Sequence, residues 1–191
     1  MLSWNEHVCN ILSKIAKIVS ILGRLKYIVP RNALRSIYLA LIYPHLNYCS
    51  IAWSSTSRSL FDKLNVLQKR AIRHTTCAKP RDHTSVCFKS LNLLKCTDIF
   101  NTNIATFTYR SLHGLLPSQF SNYFSYNFSV HYHNTRQTAS LHQYSTQSSI
   151  QHNSLRSRAI RLWNSIPSSV IAKQSTKSFR KSISRTYIQD Y

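Results

Sequence analysis

Residues 3–25 read SWNEHVCNILSKIAKIVSILGRL, and this stretch decides the fold class. Val8, Ile11, Leu12, Ile15, Ile18, Val19, Leu22 and Leu25 recur with the three-to-four-residue period of one helical face. Lys14, Lys17 and Arg24 fall off that stripe. Ser3 and Glu6 stand in the S-x-x-E form of a capping box, which would close unpaired N–H groups at the helix start. A basic amphipathic helix can also lie on a membrane surface. A stripe this wide needs a packing partner, however, and burial in a core is the expected outcome.

Working outward, Pro30 suits the first turn of a second helix, because its missing N–H would be unpaired there anyway. Leu34, Ile37, Tyr38, Leu41 and Ile42 follow on one side, and Pro44 is expected to kink or end that helix. Tyr43, Tyr48 and Trp53 should pack the next turn. Serines between Ser54 and Ser59 offer N-caps for a third helix, whose apolar face is Leu60, Phe61, Leu64, Leu67 and Ala71 or Ile72. Pro80 breaks the chain before a short helix through Val86, Phe88 and Leu91. Phe100, Ile104, Phe107 and Leu112 mark a fifth helix, with Gly114 as its C-terminal cap. Residues 124–154 then carry Arg136 as their sole Lys, Arg, Asp or Glu, and their composition fits short strands and an ordered loop alike. Leu155, Ala159, Leu162 and Trp163 restore a helical face, which Ile166-Pro167 ends. A last helix should start near Ser175 and turn Phe179, Ile183 and Tyr187 inward. The expected fold is mainly α: a helical bundle over residues 1–114, then a helical C-terminal segment over 115–191, with short β-strands around 125–152 left open.

Charge bounds the function. Twenty-five Lys and Arg face five Asp and Glu, a net charge of +20. Residues 1–96 carry +12 and residues 97–191 carry +8, so the excess is not a detachable tail. No acid occurs between Asp98 and Asp190. A folded body so charged repels itself and favours a polyanionic partner: nucleic acid first, an anionic membrane second. Hydrophobic residues at 43% argue against wholesale disorder. Two glycines exclude a glycine-rich phosphate loop, so no nucleotide cofactor is expected. The longest apolar run, Ile37–Tyr43, falls far short of the roughly 20 residues a membrane span needs. No secretory signal pattern opens the sequence, and an intracellular setting, nucleus or cytoplasm, is expected. Cysteines 9, 49, 77, 87 and 96 then read as reduced thiols. Cys77, His83, Cys87 and Cys96 have no C-x2-C pair to anchor a metal, and no metal ligands are assigned.

The candidate contact residues fall in clusters. Lys63, Lys69, Arg70 and Arg73 lie on the third helix, where guanidinium forks match phosphate oxygens; an ordinary solvated face is the alternative. Arg156, Arg158 and Arg161 precede Trp163, which falls on an apolar stripe and reads as a core anchor rather than a base-stacking platform. Lys173, Lys177, Arg180, Lys181 and Arg185 form a third cluster, for which a membrane surface is the rival. Arg136 is divided evenly between a buried structural role and contact with nucleic acid. His131 and His133 have no third ligand at useful spacing, and no G-x-S-x-G elbow exists for a nucleophile.

Several stretches resemble, in order, the region after the palm in non-LTR retrotransposon (LINE-type) reverse transcriptases. They are Leu34-Arg35-Ser36-Ile37-Tyr38, Leu41-Ile42-Tyr43-Pro44-His45-Leu46-Asn47-Tyr48 with Trp53, and Leu67-Gln68-Lys69-Arg70-Ala71-Ile72-Arg73. Leu115-Leu116-Pro117, His133-Asn134-Thr135-Arg136 and Trp163-Asn164-Ser165-Ile166-Pro167 complete the series, which spans nearly the whole chain. The resemblance implies a thumb-like helical bundle that grips a template–primer duplex by its backbone, followed by the post-thumb segment, without fingers or palm. Those polymerases hold two metal ions on paired palm aspartates. Here Glu6, Asp62, Asp82, Asp98 and Asp190 are each at least 16 residues apart, so no catalytic residue is assigned. The expectation is a non-catalytic fragment of an RNA-directed DNA polymerase that contacts DNA or RNA, duplex or structured, through phosphates. The alternative is a helical interaction module that docks on another protein, such as a separate polymerase core.

Overall fold

The computed structural model describes residues 4–130 and 139–191. Its helices are α1 (Asn5–Leu25), α2 (Arg31–Ile37), α3 (Tyr43–Asn47), α4 (Ser50–Trp53), α5 (Arg58–Thr76), α6 (Thr84–Leu91) and α7 (Cys96–Leu112). They continue with α8 (Asn127–Val130), α9 (Ser149–His152), α10 (Leu155–Ser165), α11 (Ser168–Ile171) and α12 (Thr176–Gln189). The fold is mainly α. Two compact units form, one from residues 1–100 with 184–191 and the other from 101–183.

In the first unit the opening apolar stripe becomes the spine of the core. Helix α1 buries Val8, Ile11, Ile15, Val19 and Leu22 and packs along α5, which buries Leu60, Leu64, Ala71 and Ile72. Each of these Val, Leu and Ile side chains, taken from water, stabilises the unit by about 1.5–3 kcal/mol. Trp4 occupies the N-cap of α1 without a side-chain hydrogen bond, and Ser3 of the expected capping box lies outside the described residues. Pro44 does not end its helix. The backbone stays helical to Asn47 because residues Tyr38–Ile42 form a π-helical stretch, in which the Tyr43 N–H bonds to the Tyr38 carbonyl. That wider turn leaves room for a ring that would otherwise clash with the carbonyl four residues back. The short helix expected through Val86, Phe88 and Leu91 is α6, which buries Thr84, Phe88 and Leu91 and leaves Val86 70% exposed.

The second core is aromatic. Tyr109 stacks on Phe179 with ring centroids 4.6 Å apart, and Trp163 lies 5.8 Å from the same ring. Phe107 meets Phe120 and Phe124 at 5.5 and 6.3 Å. Gly114 adopts φ 64 after α7, and Leu115 N–H reaches back to the Arg110 carbonyl at 2.8 Å, closing the helix as expected of a glycine cap. Among the described residues of the 124–154 stretch, strand structure is reduced to one antiparallel bridge, Tyr126 to Leu141. The Asn164 side chain fixes that bridge to α10: its amide nitrogen donates to the Leu141 carbonyl at 3.0 Å and its oxygen accepts the Leu141 N–H at 2.9 Å. No helix among the described residues is long and apolar enough to cross a membrane.

Candidate functional site

Lys63, Val66, Arg70 and Arg73 stand at i, i+3, i+7 and i+10 on α5, one line along its surface. Lys63 and Arg70 are exposed, and Arg73 is half-buried. Arg70 and Arg73 line a cavity of about 340 Å³ together with Lys26, Val66, His74, Ala78 and Pro80. Lys69, though exposed, is turned about 100° around the helix from Arg70 and does not line it. Lys63 instead borders an apolar groove of about 540 Å³ with Leu12, Ala16, Val66 and Leu67.

The cavity has a fixed frame. Arg73 donates from Nε and Nη2 to the Asp82 carbonyl at 3.2 and 3.1 Å, which ties the turn after α5 to the helix. The Asp82 carboxylate accepts the Lys79 N–H at 2.8 Å. On the α1 side Gly23 admits the His74 ring closely, since a Cβ there would sit 3.4 Å from Nε2. Burial first, then the positive charges of Lys26 and Arg70, hold the His74 imidazole below its ordinary protonation range. An anion brought here would meet three cations.

In the second unit the arginines of α10 are engaged internally. Arg156 places its guanidinium carbon 4.1 Å from the Tyr144 ring centroid and donates from Nη2 to that hydroxyl at 2.8 Å. Arg161 donates to the His152 carbonyl at 3.0 Å and also touches its ring. Arg158 is half-buried; burial, then the neighbouring Arg161, lowers its pKa from the ordinary guanidinium value. On α12, Arg180 donates to the Asn103 side chain at 3.3 Å, while Lys177 and Lys181 are exposed. Trp163, 4% exposed, is a core residue. His131, His133 and Arg136 lie outside the described residues.

Among the described residues one ion pair forms, Arg58 with Asp62 at 3.3 Å. The five cysteines are free, and Cys96 is buried. No group of three His, Cys, Asp or Glu among the described residues could hold a metal ion. Asp98 and Asp190, remote in sequence, come close enough to influence one another, but Asp98 is engaged by the Tyr191 hydroxyl. Sequence reasoning missed Lys26 and His74. His74 follows Arg70 at i+4, a readable signal. Lys26 joins them solely through the packing of α1 on α5. No family model matches this chain, no curated protein matches it, and no solved structure matches it.

Proposed function

We propose that this chain is a non-catalytic, nucleic-acid-contacting segment of a non-LTR retrotransposon (LINE-type) reverse transcriptase, equivalent to its thumb and post-thumb region. It grips DNA or RNA, duplex or structured, through backbone phosphates, in the nucleus or cytoplasm. The observation that carries the reading is the cavity that gathers Lys26, Arg70, Arg73 and His74 without an acidic lining residue. Exposed Lys63, Lys69, Lys177 and Lys181 add positive charge elsewhere on the surface. Backbone contacts position a duplex without reading its bases, so little sequence preference is expected.

Binding of labelled duplex DNA and structured RNA across a salt series tests this. With six to ten phosphates engaged, affinity falls on the order of 10^3–10^5 between about 50 and about 200 mM salt. Salt-independent binding, or none in dilute buffer, refutes it. Primer extension with magnesium is expected to yield no product, and product from pure protein would overturn the non-catalytic assignment.

A second reading, docking on a separate polymerase core or another protein, is favoured by the apolar groove beside Leu12, Ala16, Val66 and Leu67. Size-exclusion chromatography after nuclease treatment separates the two, because a protein complex survives nuclease.

A further inference from the structure

We propose that the cavity lined by Lys26, Arg70, Arg73 and His74 is a phosphate pocket in which His74 takes up a proton as the anion enters, so that its grip tightens as pH falls. The inference deepens the nucleic-acid reading and rests on it for the identity of the ligand, a backbone phosphate. The pocket chemistry itself stands on the residues that form it.

Four nitrogen-bearing side chains converge from two elements: Lys26 beyond the end of α1, and Arg70, Arg73 and His74 on the last turns of α5. The volume of about 340 Å³ lies at the small end of ligand sites, which run from about 300 to 1,000 Å³. The Arg70 guanidinium supplies a forked donor for phosphate oxygens; Arg73, whose Nε and Nη2 are held by the Asp82 carbonyl, adds positive charge, and the ammonium of Lys26 supplies a point charge. Tyr27, 83% exposed, stands next to Lys26, whose Nζ lies 4.6 Å from its ring centroid. An exposed ring beside a phosphate pocket can stack on a neighbouring base without choosing among bases.

The groups that face His74 explain the proton. Lys26 faces it from the turn after α1, and Arg70 and Arg73 flank it on α5. The Cys77 thiol at the end of α5 donates to the Lys26 carbonyl at 3.7 Å and the His74 carbonyl at 4.0 Å. Gly23 on α1 brings no side chain, and Ala78 and Pro80 of the following turn bring no titratable group. Asp82, the acid of that turn, accepts the Lys79 N–H with its carboxylate and the Arg73 fork with its backbone carbonyl. Burial and the surrounding cations together oppose an imidazolium; an anion bound beside it would offset that field and favour it. By linkage, an anion that raises the affinity for the proton is itself bound more tightly where protons are available.

Sulfate is the probe, since it keeps a double negative charge throughout the range. If binding raises the His74 pKa by one unit, sulfate affinity rises about tenfold across the complete titration, of which about fivefold falls between about pH 7.5 and about pH 5.5. The His74 ring resonance, identified by its loss in His74→Gln, is expected to titrate at higher pH with sulfate present. His74→Gln removes the pH dependence, and Arg70→Gln, altering an exposed side chain, weakens sulfate at every pH. A flat sulfate affinity in the unaltered protein, or a His74 resonance blind to sulfate, overturns the proposal. The same variants with duplex DNA distinguish the two readings. Salt-sensitive DNA binding untouched by either substitution overturns the pocket and keeps the functional reading. Sulfate binding with the expected pH response, but no DNA or RNA binding, upholds the pocket and removes the functional reading.

Discussion

Replacing Gln68 by leucine should cost the first unit about 3–5 kcal/mol. Gln68 is 2% exposed on the core-facing side of α5. Its Nε2 donates to the Tyr38 hydroxyl at 2.9 Å and to the Leu94 carbonyl at 3.0 Å. Its Oε1 accepts the Cys96 N–H at 2.7 Å, one of the donors that the first turn of α7 leaves without a partner in the helix. One amide therefore joins the π-helical stretch, the turn before α7 and the start of α7. Leucine keeps the volume but leaves all three groups facing an apolar atom. Each stranded buried group costs about 1–3 kcal/mol, and relaxation of the neighbours recovers part of the sum. Against a typical total of about 5–15 kcal/mol, that is enough to shift unfolding plainly.

Trp53, 1% exposed and bonded through Nε1 to the Tyr48 carbonyl at 2.8 Å, reports on this unit. Urea unfolding followed by its fluorescence, with Trp4 and Trp163 replaced by phenylalanine, isolates the first unit from the second. Tyr38→Phe strands a single donor, with an expected cost of about 1 kcal/mol. Adding it to Gln68→Leu should cost less than the sum of the two, since the double variant no longer strands the Tyr38 hydroxyl. A Gln68→Leu protein within about 0.5 kcal/mol of the unaltered one, or strictly additive losses, would refute the network.

Tyr191→Phe removes a hydroxyl that accepts the Lys95 N–H at 2.9 Å and donates to the Asp98 carboxylate, and should lower the Trp53 midpoint by about 1–2 kcal/mol. Burial, the largest cause, raises the Asp98 pKa above the usual carboxylate value; Tyr191 and Lys95 pull it down and Asp190 pushes it up. A folded-state pKa raised above the unfolded one stabilises at low pH, and that contribution is lost as pH rises through the folded value. Stability measured from about pH 4 upward should therefore carry a falling component, which Asp98→Asn abolishes; an unchanged pH profile would contradict the assignment. Gly114→Ala should cost about 1 kcal/mol in a thermal melt of the second unit, from its φ of 64 alone, because no atom lies within 4 Å of the added Cβ. A loss of 3 kcal/mol or more (roughly the scale of a packing defect) would mean that contacts rather than backbone conformation set that cost.

The periodic helices were the legible part of the sequence, for a physical reason. The α1 stripe, the α5 face, the Gly114 cap and the stop at Ile166-Pro167 are each written within a few residues of one another, where the helical repeat can be counted. What escaped was set by partners far along the chain. Gln68 reads as a polar residue on a basic helix, and its burial follows from Tyr38, Leu94 and Cys96. Pro44 reads as a kink or an end of the helix because the compensating π turn is not a local propensity. Tyr191 reads as a chain terminus, yet its hydroxyl meets Lys95 and Asp98, and Lys89 Nζ reaches the neighbouring Gln189 carbonyl at 3.1 Å. The candidate site divided in the same way: Arg70 and Arg73 were visible as a cluster, whereas Lys26 joined them through packing alone.

The shortage of acids also decides which cations remain for a partner. With five carboxylates for twenty-five Lys and Arg, guanidinium donors in this chain turn to other acceptors. Arg35 bonds the Leu91 carbonyl, Arg73 the Asp82 carbonyl, Arg156 the Tyr144 hydroxyl, Arg161 the His152 carbonyl and Arg180 the Asn103 side chain. These arginines join turns and helices within their own units, and five rigid N–H donors suit them to that role better than an ammonium. Among the described candidate contact residues, the exposed positions fall mainly to lysine: Lys63, Lys69, Lys177 and Lys181, with Arg70 beside the cavity. Lysine meets phosphate as a strongly hydrated point charge on a flexible stem, without the forked geometry that reads a base edge. On the proposed nucleic-acid reading, candidate contacts dealt out in this way would give a salt-sensitive grip on the sugar–phosphate backbone rather than sequence readout. On the same reading, directional recognition would rest on the Arg70 guanidinium, with Arg73 and His74 beside it at the end of α5.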